Sequence, residues 1–201
     1  MYLTGFEAKM KKEYKNVARS KAGLQEALVR ALNEGVPIEK ISVSFLCERA
    51  GISRGTFYNH YEKVMDLIRE IENYYLELVG AAFAEIGVGN RANRLAFFER
   101  VNRVIEDNHH VAVAVTKCMP YDFQNDIQAK FARVNVKGIA KCFFGDFPSK
   151  EEKNLLELVS LGIASLYCAT IVGKSELSTK EVAEASVKLL DCIDPHLKSE
   201  S

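Results

Sequence analysis

Apolar residues recur along this chain at helical spacing, with no useful run of strand-like alternation. Leu24, Ala27, Leu28, Ala31 and Leu32 stand at i, i+3, i+4, i+7 and i+8, one face of a helix. Ser20 is a candidate N-cap for it, and Gly35 with Pro37 stops it. Residues 1–19 ahead of it are polar and Lys-rich, and read as a mobile or partly helical arm. Val43, Leu46, Cys47 and Ala50 repeat the pattern over a shorter span, opened by Ser42 and closed by Gly51. The chain restarts at Ser53, a good N-cap, with Ile52 and Phe57 at the spacing of a hydrophobic staple. Val64, Leu67, Ile68, Ile71, Tyr75, Leu78, Val79 and Ala82 predict a long helix from Lys63 to about Ile86. Further helices are predicted over about 93–107, as a short apolar piece at 111–115, and after Pro120 from Phe123 to about Phe144. Ser149 with Glu152 and Ser178 with Glu181 are capping boxes; they open helices reaching Gly173 and about Ile193. The expected fold class is all-α.

Composition agrees. With 12 Gly and 4 Pro in 201 residues, breakers are too few for a turn-rich β fold. The formal net charge is zero, but it is unevenly spread. Residues 1–63 carry 11 Lys and Arg against 7 Glu, and the remainder holds a matching acidic excess. A basic front and an acidic back suggest two parts with different partners. The five Cys are odd in number and show no C-x-x-C spacing, which argues against disulfides and against zinc. No metal or other cofactor is expected. His109 and His110 are adjacent, so they do not share a helix face, and no carboxylate pattern supports them. There is no nucleophile–base spacing to suggest an enzyme. The front of the chain has no apolar secretory run, and the longest uncharged run, Leu158 to Gly173, has 16 residues. A membrane helix needs about 20. A reducing cytoplasm and no membrane are expected.

The informative stretch is Ile41 to His60, ISVSFLCERAGISRGTFYNH. It predicts two short helices joined by a tight turn at Ala50-Gly51-Ile52, with a supporting helix before them. That is a helix-turn-helix, whose second helix enters the DNA major groove by its N-terminal residues. Those residues here are Ser53, Arg54, Gly55 and Thr56. Arg54 suits guanine N7/O6 or a phosphate. Gly55 lets backbone come close to DNA. Tyr58, Asn59 and His60 suit phosphates or base edges, while Phe57 and Tyr61 pack inward.

Residues 19–79, above all Ala50 to Tyr61 (AGISRGTFYNHY) followed by Asp66-Leu67, resemble the TetR/AcrR-type DNA-binding domain. The resemblance covers about a third of the chain. It implies an all-α homodimer with a three-helix DNA-binding head and a larger helical body that binds a small effector. On that pattern residues 1–18 form a basic arm, 19–79 the head with its motif at about 42–61, and 80–201 the body. Tyr58 and His60 match the phosphate-contacting pair. Arg54, Gly55, Thr56 and Asn59 take the base-proximal places, and Ser42 and Ser53 the two N-caps. With Lys21, Ser44 and Lys63 they complete the expected DNA-facing set. Three places depart from the pattern: Glu62 and Val64 stand where family members often carry Lys, and Phe45, three positions after the first N-cap, stands where an acidic residue is common.

In the body, Gly162, Ser165 and Ala169 lie at i, i+3 and i+7 on a helix that is apolar nearly all round. Such a helix must be covered on every side, and a second subunit is the simplest cover. The expected homodimer forms through the last two long helices. Phe97, Val101, Tyr121, Phe123, Phe131 and Tyr167 are candidates to line an effector pocket. The function expected is a ligand-released homodimeric repressor acting on a palindromic operator in double-stranded DNA. The alternative is a coregulator of the same fold that works mainly through protein contacts.

Overall fold

The structure, a computed structural model, describes residues 3–81, 91–117, 129–130, 132–133 and 150–193. Every regular element among them is helical. In chain order they are α1 (Leu3–Asn33), a 3₁₀ turn (Ile38–Lys40), α2 (Val43–Ala50), α3 (Arg54–Tyr58), α4 (Val64–Ala81), α5 (Arg91–Asp107), α6 (His109–Lys117), α7 (Lys150–Ile171) and α8 (Thr179–Ile193). The chain divides into two compact units, residues 1–71 and 72–201.

In the first unit, α1 is longer than its apolar stripe predicts, running unbroken from Leu3. Ser20 therefore does not cap it. Residues 16–19 contain no breaker, so no free N–H group is left for Ser20 to satisfy. Its hydroxyl instead donates to the Val17 carbonyl at 3.0 Å. The helix ends where Gly35 takes φ 79°, with Val36 N–H donating to Ala31 O at 3.0 Å. Leu24, Leu28, Leu46, Phe57, Leu67 and Ile68 form the dry interior of this unit.

The second unit is built on Phe97, Phe98, Val101, Ile105, Leu156, Ile163, Tyr167, Val182 and Leu190 with their neighbours. The stripes of α5, α7 and α8 supply most of these residues. Gly173, at φ 72°, ends α7. The capping box of α8 is formed as expected. Ser178 Oγ accepts from Glu181 N–H at 3.2 Å, and Glu181 Oε2 accepts from Ser178 N–H at 2.8 Å. Those bonds from Ser178 hold the Glu181 carboxyl below its usual range. The piece expected at 111–115 is the middle of the nine-residue α6, with His109 and His110 exposed in its first turn. Pro120, Ser149 and most of the helix expected from Phe123 to Phe144 lie outside the described residues; residues 129–130 and 132–133 of that stretch are helical.

Buried polar groups tie the second unit together. Tyr167 OH on α7 donates to Asn102 Oδ1 on α5 at 2.8 Å, and Asn102 Nδ2 donates to the Thr179 carbonyl on α8 at 3.1 Å. Arg94 and Asp191 pair at 2.7 Å between α5 and α8. The stretch Lys153–Ile171 of α7 is, by length and composition only, long and apolar enough to cross a membrane. The uncharged run is shorter because Glu157 interrupts it. In this structure Leu156, Ile163, Ala164, Tyr167 and Ile171 of that helix belong to the core.

Tyr167→Phe strands the buried Asn102 oxygen. It is expected to cost about 1–3 kcal/mol in urea unfolding, with the helical content of the native state unchanged.

Candidate nucleic-acid interface

Two capped starts and one left-handed glycine shape the segment from Ser42 to His60. Ser42 sits at φ −93° and ψ 164°, and its hydroxyl accepts from Phe45 N–H at 3.2 Å, opening α2. α2 closes on Gly51 at φ 63° and ψ 36°, with Ile52 N–H donating to Cys47 O at 3.0 Å. Only glycine takes that conformation without strain. Ser53 then opens α3, accepting from Thr56 N–H at 3.0 Å, while its hydroxyl also meets Thr56 Oγ1 at 2.9 Å. The Cys47 thiol lies 3.6 Å from the Ser53 carbonyl and pins the turn from inside. Burial pushes that thiol up, against the opposing charge of Arg54.

The inward and outward faces divide as the sequence predicts. Phe57 is wholly buried and Tyr61 nearly so, their ring centroids 5.6 Å apart. Facing solvent are Ser42, Ser44, Ser53, Arg54, Gly55, Asn59 and Lys63, with Thr56 and His60 half-buried. Tyr58 is 52% exposed and lies edge-on to Phe57. A Cβ added at Gly55 would meet only Ser53 Oγ, at an ordinary 3.7 Å. Nothing among the described residues therefore requires glycine there.

Two residues of the expected set have partners that the sequence does not disclose. Lys21 Nζ pairs with Glu70 Oε2 at 2.7 Å, with the ammonium 5.4 Å from the Tyr61 ring. His60 Nε2 lies 2.7 Å from Ser20 Oγ. Glu70 is the hub of this cluster. Its other oxygen accepts from Gln25 Nε2 at 2.9 Å and Tyr61 OH at 3.2 Å. The Tyr61 phenol is pushed up by its burial first and by the Glu70 charge second. Sequence reading missed Glu70 because its partners Lys21 and Gln25 lie 49 and 45 residues away, beyond any helical period. Lys63 keeps its side chain exposed, while its backbone N–H donates to Asp66 Oδ2 at 3.0 Å at the start of α4. Arg49 bonds Glu34 at 2.7 Å, holding that carboxyl below its usual range, and spreads over the Phe45 ring.

No protein-family model matches the chain, and no curated relative does. Solved structures do. A TetR-family transcriptional regulator from Syntrophomonas wolfei matches with a TM-score of 0.67 at 11% identity, over 87% of this chain and 94% of its own. A regulatory protein of the same family from Rhodococcus matches at 0.60 and 18% identity, over 87% and 96%. The regulator PfmR from Thermus thermophilus matches at 0.59 and 21% identity, over 84% and 93%. The fold is that of the TetR-family transcriptional regulators.

The second unit also carries a small cavity of about 10 Å³, room for one water molecule. Tyr75, Leu76, Val115, Thr116, Tyr167, Cys168 and Ile171 line it. Of the effector-pocket candidates Tyr167 is there, whereas Phe97 and Val101 are core residues that do not line it. Tyr121, Phe123 and Phe131 lie outside the described residues. The buried Tyr75 hydroxyl has no hydrogen-bond partner among the described residues. Burial pushes the Cys168 thiol up to about 11, which disfavours the thiolate.

Gly51→Ala puts a Cβ on a left-handed backbone. The expected loss is about 1–2 kcal/mol of stability, measured by thermal unfolding. Gly55→Ala should leave the melting temperature nearly unchanged.

Proposed function

We propose that this protein is a sequence-specific DNA-binding transcription regulator. In this reading it is a homodimeric repressor, released from a palindromic operator by a small, mostly apolar effector. One observation carries the proposal. The recognition turn of a TetR fold presents Arg54, Gly55, Tyr58 and Asn59 outward, with Thr56 half-buried among them, while Phe57 locks it from behind. Arg54 is assigned to a base edge, Tyr58 and His60 to phosphates. The bare Gly55 surface, which the fold itself does not require, suits close approach of a DNA backbone.

The dimer reading rests on uncovered leucines. Leu158 is 70% exposed on α7 and Leu189 45% on α8, and a Cβ at Gly162 would meet nothing within 4 Å. Leu158, Gly162, Ser165 and Ala169 recur at helical spacing, so a second copy can lie close along that face. The effector reading rests on the family resemblance; the cavity beside Tyr75 has room for one water only, so an effector there must part the side chains that line it. Such a ligand acts only if it binds the DNA-incompetent state more tightly.

The coregulator reading keeps one supporting observation. Lys21 is ion-paired with Glu70, and Glu62 is exposed two residues after His60, so the head offers DNA fewer free cations than its residue count suggests. A gel shift with DNA upstream of its own gene separates the two readings: a discrete complex supports the regulator, and none at any concentration supports the coregulator.

On a duplex selected by the protein from a random-sequence pool, Tyr58→Phe should weaken binding evenly across sequences. Arg54→Ala should cost about 1–3 kcal/mol and relax preference at one base pair per half-site, measured by competition titration. Leu158→Glu and Leu189→Glu should each sediment as monomers at micromolar concentration and lose affinity for half-sites spaced by about 34 Å or a multiple of it.

A further inference from the structure

We propose that Ser20 is a positioning residue that fixes the ring proton of His60 on Nε2, so that His60 donates to a DNA phosphate only as an imidazolium, through Nδ1. The proposal rests on the DNA-binding reading and adds a protonation requirement to it.

The geometry is a count of protons. Ser20 Oγ lies 3.0 Å from the Val17 carbonyl and 2.7 Å from His60 Nε2. A hydroxyl has one proton to give, and a carbonyl can only accept. The hydroxyl proton goes back to the carbonyl three residues earlier, a bond that a serine within a helix makes readily. Oγ then meets Nε2 with a lone pair, so Nε2 must carry the hydrogen. A neutral imidazole has a single N–H, which leaves Nδ1 as a lone pair. No hydrogen bond from a described residue reaches Nδ1. Phosphate oxygens also present lone pairs, so the neutral ring repels them. Protonation puts a donor and a positive charge on Nδ1 together.

The ionisable groups on the surrounding elements are already engaged or turned to solvent. On α1, Arg19 is exposed and Lys21 is held by Glu70 of α4. In the turn that carries His60, Tyr61 donates to Glu70, and Glu62 and Lys63 are exposed. Asp66 of α4 accepts from the Lys63 backbone N–H and lies 3.8 Å from Arg69. No carboxylate among them bonds the ring in place of a phosphate.

Histidine is the side chain whose charge changes between about pH 5 and about pH 8. The neutral tautomer fixed by Ser20 must therefore gain a proton when DNA binds. Operator affinity tightens as pH falls, by up to about tenfold per pH unit for each proton taken up.

Two measurements on the full chain test this. Long-range proton–nitrogen NMR at about pH 8, with the His60 signals identified by their loss in His60→Gln, should report the Nε2–H tautomer. The second measurement follows affinity for the duplex selected from the random pool, from about pH 5.5 to about pH 8. Wild type should tighten towards low pH, and His60→Gln should be flat. Ser20→Ala keeps helix propensity high and frees the neutral ring to carry its proton on Nδ1. It should therefore bind more tightly than wild type at the upper pH and show a shallower profile, a gain that loss of a merely structural bond does not give. An Nδ1–H tautomer in the free wild-type protein, or identical pH profiles for wild type and His60→Gln, overturns the proposal. Absence of DNA binding at every pH overturns the DNA-binding reading and the phosphate half of this proposal with it, while the tautomer result still judges the Ser20 contact alone.

Discussion

A helix of five residues has no stability of its own in water, and one of eight has little. Isolated helices below about 12–15 residues are marginal even with the best sequences. α2 and α3 are of those lengths, so their existence depends on what holds them from outside. Leu46 and Cys47 from α2 and Phe57 from α3 are buried in the first unit, and the hydroxyls of Ser42 and Ser53 satisfy the first free N–H groups. Each cap contributes about 1 kcal/mol. The outward face of α3 is therefore fixed by Phe57. Its neighbours on either side reach solvent because that one ring cannot.

Interactions confined to a few neighbouring residues were the legible ones. The caps at Ser42 and Ser53, the left-handed turn at Gly51 and the box joining Ser178 to Glu181 involve residues at most five apart, and each formed as its sequence suggests. Ser20 shows the limit. Its residue type favours a cap, but capping needs a chain that is not already helical, and the residues before it are. The Glu70 cluster was illegible for a different reason. It joins α1, the turn after α3 and α4 through bonds that only the tertiary fold brings within reach. Which of Phe97, Val101 and Tyr167 would border a cavity was not readable either, since a void is set by how side chains of several helices fit.

The second unit contains buried polar atoms without partners among the described residues: Tyr75 OH, Ser160 Oγ, Thr170 Oγ1 and one oxygen of Glu72, whose other oxygen meets Lys130 at 3.0 Å. Each such atom costs stability that an apolar side chain of the same shape would not. Glu72 and Tyr75 are one turn apart on α4 and Thr170 is on α7, so the cost falls near the helices that border the cavity. By contrast, the chain from Tyr167 through Asn102 to Thr179 is fully bonded and binds three helices into one frame.

The ion pair and hydrogen bonds around Glu70 have all their members within the first 71 residues, as does the interior around Phe57. The second unit instead takes Leu156, Ile163, Tyr167, Val182 and Leu190 of its core from helices near the end of the chain. A polypeptide leaves the ribosome from its N-terminus, and its domains fold as units as they emerge. The segment from Ser42 to His60 therefore has every residue it needs to acquire its shape while the sequence of α7 and α8 is still being translated. The leucines of the second unit stay without a complete core until α8 has been translated.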